Sequence, residues 1–183
     1  MMQACIAGGM QVGWSAKREE AVLANGDGSY LINESVLEPD VDSVRDWPEM
    51  YDGMAVKIFP WQLDSLPAHE YMAAVIRRDP EEITASYYAA FHSRWLSDSD
   101  TSDGYEQLMQ NAVGYLGRRP DVRSVVELSY DSVLAEPLAS MQRLAEAGWP
   151  LDAVGAASVV DVSKKRFRAE QLAKDTSHAV VYV

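Results

Sequence analysis

Apolar residues fall into two rhythms along this chain. Residues 72–76, Met-Ala-Ala-Val-Ile, form an unbroken apolar run, and residues 122–128 carry Val122, Val125, Val126 and Leu128. Short runs of this kind predict strands buried on both faces. Residues 54–59 predict a third strand, interrupted by Lys57, with Pro60 and Pro67 bracketing the connection that follows. The helical rhythm is clearest at Tyr105, Leu108, Met109, Ala112, Tyr115 and Leu116, a stripe over residues 104–116 that ends near Gly117. Leu138, Met141, Leu144 and Ala145 predict a further amphipathic helix, which Gly148 ends and Pro150 follows, and a last helix runs through Val160. Residues 1–7 predict a helix closed by Gly8-Gly9, and residues 10–12 a short strand that Gly13 interrupts.

The remaining stretches are more polar. Ser15 is placed to cap a helix through Leu23 that stops at Asn25-Gly26, residues 26–29 read as a flexible loop, and residues 33–52 as a short helix within loops. A long helix is predicted from Pro80 to about Leu96. Asp79 can accept from its first amides, Pro80 has the φ of a first helical position, and Glu82 stands where a capping box places an acid. Strands alternating with such helices predict one α/β domain over residues 1–183, with a mainly parallel sheet.

Composition narrows the function. The chain has 183 residues, 48% of them hydrophobic, which suffices for one full core. Its formal charge of −12 opposes non-specific binding to nucleic acid or anionic membranes, so an anionic ligand needs a local basic pocket. Cys5 is the only cysteine, which leaves no internal disulfide or cysteine-based zinc site, and no carboxylate or histidine cluster has metal-ligand spacing. No run reaches transmembrane length and no signal peptide opens the chain, so a cytoplasmic location is expected.

The stretch with most chemistry is Arg77-Arg78-Asp79-Pro80, at the carboxyl end of the 72–76 strand, where open α/β sheets bind ligands. Ser86 falls on the same side of the following helix as Glu82, near the stripe of Ile83, Tyr87 and Phe91. A guanidinium fork with a nearby hydroxyl suits a phosphate, and a plain surface ion pair is the alternative.

Arg78 followed by Ser86-Tyr87-Tyr88 resembles the 3'-phosphate-binding element of sulfotransferases. Ala7-Gly8-Gly9-Met10, Gly28-Ser29-Tyr30, Ala55-Val56-Lys57 and Gly148-Trp149-Pro150-Leu151-Asp152 follow in the order expected of compact bacterial and phage sulfotransferase-like proteins. The resemblance implies a P-loop-NTPase-like, three-layer α/β/α fold and 3'-phosphoadenosine 5'-phosphosulfate as sulfuryl donor. It implies that Arg78 and Ser86 hold the 3'-phosphate and that Lys57 faces the transferring group. Tyr130, in Ser129-Tyr130-Asp131, then packs near the adenine; its alternative is a tyrosine at the rim of the core. Lys165 and Arg166, within the basic run 164–168, would close over the 3'-phosphate, or form a solvated helix end. Lys57 is alternatively an edge-strand lysine.

Two departures stand out. The family opens with a strand and a phosphate-binding loop, whereas this sequence starts at what would be the middle of the following helix. Either Met1 is internal to a longer product, or residues 10–12 or another chain fill the place, with a homodimer as one outcome. Secondly, many members place a histidine two residues after the lysine, but Lys57 is followed by Ile58 and Phe59. Glu34 is then the candidate general base, with His69 and His92 behind it.

The expected activity is sulfuryl transfer to a hydroxyl or amine of a small molecule or glycan, without a metal. A form lacking the phosphate loop is expected to be inactive. The alternatives are a non-catalytic binding or assembly module on a degenerate sulfotransferase fold, and a small-molecule kinase-like protein.

Overall fold

The computed structural model describes residues 1–13, 51–83 and 102–162. In chain order its elements are α1 (Met2–Ala7), a 3-10 helix (Pro60–Ser65), β1 (Tyr71–Arg77), α2 (Ser102–Arg118), β2 (Val122–Ser129), α3 (Tyr130–Ala135), α4 (Pro137–Glu146) and α5 (Ala153–Ser158). Residues 80–83 form a helical turn after β1. The expected helix over 15–23, the part of the 33–52 segment before Tyr51, and the continuation of the Pro80 helix beyond Ile83 lie outside the described residues. No described helix is long and apolar enough to cross a membrane.

β1 and β2 run parallel, with Ala73 opposite Val125, Val75 opposite Glu127 and Arg77 opposite Ser129. A parallel pair needs a crossover connection, and α2 lies on it. Successive strand residues face opposite sides, so helices cover both faces. Ala73, Val75 and Val125 pack with Tyr105, Met109 and Leu116 of α2. Ala74, Ile76, Val126 and Leu128 meet Val133 of α3, Met141 and Leu144 of α4, Ala156 of α5 and Ala4 of α1. The molecule is therefore mixed α/β with a small parallel sheet, as the apolar rhythm predicts.

The third strand expected over residues 54–59 does not form as such. Among the described residues Ala55 alone makes a bridge, to Val12 in parallel, through Ala55 N–H to the Gln11 carbonyl at 2.8 Å and Gly13 N–H to the Ala55 carbonyl at 2.9 Å. Likewise, the short strand expected over 10–12 amounts to Val12 alone. The cause at the far end is local. Pro60 has no amide to extend a ladder, and the Gln62 side chain accepts the Phe59 N–H at 2.9 Å, which turns the chain into the 3-10 helix.

Helix ends follow their sequence signals. Gly9, at φ 87°, takes the left-handed conformation after α1, and Gly148, at φ 100°, does so after α4. The Asp152 carboxylate accepts from Val154 and Gly155 N–H, both at 3.0 Å, and so starts α5. The Asp152 N–H donates to the Gly8 carbonyl at 2.8 Å, which fastens α1 to the start of α5.

At the amino ends of the strands, Arg119 is a clamp. Its Nε and Nη2 donate to the two Asp121 carboxylate oxygens at 2.9 and 2.6 Å, and its Nη1 and Nη2 reach the Leu66 and Pro67 carbonyls at 3.1 and 2.8 Å. Its plane also lies within 5.5 Å of the Tyr71 ring centre and 5.8 Å of that of Tyr115. This cluster joins the entries of both strands to the turn before β1.

Candidate functional site

The carboxyl ends of β1 and β2 adjoin, because Arg77 pairs in register with Ser129. Each strand leads directly into a capped helical turn. After β1, Asp79 Oδ1 accepts from Glu81 N–H at 2.8 Å and Glu82 N–H at 3.3 Å, and the Ile83 N–H reaches the Asp79 carbonyl at 3.1 Å. After β2, the Ser129 hydroxyl accepts from Ser132 N–H at 3.2 Å. The register therefore sets Arg78 and Tyr130, the first residues beyond the two strands, side by side. The Arg78 guanidinium lies over the Tyr130 ring, 4.7 Å from its centre.

The two neighbouring arginines are held differently. Arg77 donates through Nε to Glu127 at 2.8 Å and through Nη1 to Glu106 at 2.6 Å, while its Nη2 stands 2.8 Å from Glu127. These carboxylates push its pKa up and occupy its fork. Arg78 gives Nε to Glu82 at 3.2 Å, and its backbone N–H goes to the Tyr105 hydroxyl at 3.3 Å. Among the described residues, Nη1 and Nη2 of Arg78 have no acceptor. Burial raises the Tyr105 pKa, so its hydroxyl stays protonated as it accepts this bond. The helix amides after Asp79 already serve its own carboxylate, so among the described residues here the Arg78 fork is the donor group left with open N–H positions.

Of the residues singled out in the sequence, the structure brings Arg78 and Tyr130 together. Lys57 lies elsewhere, in the segment bridged to Val12 through Ala55, with its ammonium 4.7 Å from the centre of the Phe59 ring. Ser86, Glu34, Lys165, Arg166 and His92 lie outside the described residues. His69 has an acid partner that its sequence neighbours do not reveal. Its Nε2 is 3.1 Å from Asp52 Oδ1, at the opposite end of β1 from Arg78. Among the described residues no group of three His, Cys, Asp or Glu is arranged to hold a metal ion. Cys5 is buried, which pushes its thiol pKa up and keeps it protonated and unreactive.

Sequence reasoning overlooked two partners of Arg78. Glu82 was legible from its i,i+4 spacing, which places the two side chains on one helical face. Tyr105 is 27 positions away, and only the packing of α2 against the sheet brings it there. Comparisons with family models, curated proteins and solved structures give no significant match for the chain.

Proposed function

We propose that the chain is a sulfotransferase-like protein whose carboxyl-end site takes the 3'-phosphate end of 3'-phosphoadenosine 5'-phosphosulfate. The observation that carries this reading is the Arg78 guanidinium stacked on Tyr130, its two terminal nitrogens without an acceptor among the described residues, where two parallel strands end together. A planar pair of N–H groups matches two phosphate oxygens, and an aromatic ring beside it offers a flat partner to a purine. Open parallel sheets take ligands at this edge. In this proposal Ser86 adds a hydroxyl to the same phosphate, Lys165 and Arg166 close over it, and Glu34 removes the acceptor's proton. The fold is then of the P-loop-NTPase-like, three-layer kind.

The test is calorimetry with adenosine 3',5'-bisphosphate against adenosine 5'-phosphate. The expected result is measurable binding of the first and little of the second, with Arg78→Ala removing about 1.5–3 kcal/mol, the scale of a charged hydrogen bond. Equal affinity for the two nucleotides overturns the assignment.

A second reading, a binding module without catalysis, draws on the place of Lys57. Its ammonium stacks on Phe59 in a segment outside the β1–β2 pair. Transfer needs positioned charge at the departing group, and loss of a single such donor costs about 10²–10³ in rate. Release of adenosine 3',5'-bisphosphate from the sulfated donor, abolished by Lys57→Ala, supports the enzyme; binding without release supports the module.

A further inference from the structure

Arg78 is held on three sides. Its backbone N–H is tied to Tyr105, one face of its guanidinium rests on Tyr130, and its Nε edge meets Glu82. Glu82 is itself fixed. Its side chain is only 4% exposed, and its place in the first helical turn is set by the Asp79 cap. A buried carboxylate is retained at a cost unless it is paired, and here the pairing takes the side edge of the arginine rather than its end. A guanidinium can receive an anion side-on, through Nε and one Nη, or end-on, through Nη1 and Nη2. With Nε committed to Glu82, the end-on pair remains.

We infer that Glu82 is a positioning residue that locks Arg78 for end-on, bidentate capture of a terminal phosphate. The inference rests on the nucleotide reading above and adds to it the residue that sets the geometry. Glu82 also balances the Arg78 charge, so attraction of the ligand comes from directed hydrogen bonds more than from net charge.

Reach and charge can be separated by substitution. Glu82→Gln keeps the length and an oxygen that can accept from Nε but loses the charge, whereas Glu82→Asp keeps the charge and is one methylene too short. Calorimetry with adenosine 3',5'-bisphosphate should place Glu82→Gln within about threefold of the wild-type protein. Glu82→Asp and Glu82→Ala should each weaken binding about tenfold, a loss expected when one charged hydrogen bond no longer sets the geometry. The weak affinity for adenosine 5'-phosphate should not change.

If the wild-type protein prefers the bisphosphate and Glu82→Asp binds as it does while Glu82→Gln fails, the role is electrostatic and the positioning inference is overturned alone. If all three variants bind like the wild-type protein, it is overturned as well. Lack of preference in the wild-type protein overturns the nucleotide reading together with it. Should Glu82→Ala not fold, the Gln and Asp variants still decide.

Discussion

Arg77 and Arg78 stand next to each other, and the bonds they make assign them different work. Arg77→Ala breaks contacts to Glu106 and Glu127 that are partly exposed, and should cost about 1 kcal/mol or less of stability while leaving nucleotide affinity unchanged. Arg78→Ala should instead lower nucleotide affinity, and because it takes the Nε partner from the buried Glu82 carboxylate it should also lower the melting temperature more than Arg77→Ala does, as read by thermal melting beside calorimetry. The sequence located the pair but could not separate them, because Glu106 and Glu127 arrive from α2 and β2. At the other end of the strands, Arg119 holds the Asp121 carboxyl well below the usual carboxylate range. A depressed carboxylate contributes stability at neutral pH and loses it as pH falls through its folded value. Acid unfolding should therefore be less steep in Asp121→Asn than in the wild-type protein. Tyr71, pushed up to about 12 mainly by burial, has the opposite sign: the unfolded chain gives up its proton near 10, so stability should fall as pH rises from 10 towards 12. Tyr71→Phe should flatten that alkaline limb in a series of melts across pH.

Elements were legible where apolar periodicity and end signals agreed. β1, β2, α2, α4 and the helix at the chain start all stand where the stripes and glycines place them. α3 and the 3-10 helix were not legible, and a strand was expected at 54–59 where only a bridge forms. α3 is six residues long, too short to show a period, and its start depends on the Ser129 cap. The 54–59 segment has the composition of a strand, but pairing is a property of two segments, and Pro60 with Gln62 ends it early. At the junction of α1 and α5, a methyl group on Gly155 would stand 2.6 Å from the Ala7 carbonyl oxygen and 2.7 Å from Asp152 Oδ2. Gly155→Ala should therefore destabilise the protein by about 1–3 kcal/mol even though alanine favours helices, and denaturant titration would measure it.

For the molecule as a whole, the two described parallel strands derive their stability from the helices on their faces. Leu128, Met141 and Leu144 are almost wholly buried where β2 and α4 meet. Leu144→Ala should cost about 2–5 kcal/mol, read as a lower denaturant midpoint. The α/β class and the placing of Arg78 at the carboxyl edge of the sheet were legible in the sequence. Its apposition to Tyr130 was not, since that depends on strand register, which no single segment encodes.

The bond from the Asp152 amide to the Gly8 carbonyl connects the first helix to the last described one. An amide engaged in this way exchanges its hydrogen with solvent only when the bond opens. Asp152 is thus a built-in reporter of α1 detachment. If α1 swings away more readily than the sheet unfolds, this amide will take up deuterium sooner than those of Val126 or Leu128, and the ratio of its rate to that of a freely exposed amide will give the free energy of that local opening when reclosing outpaces exchange.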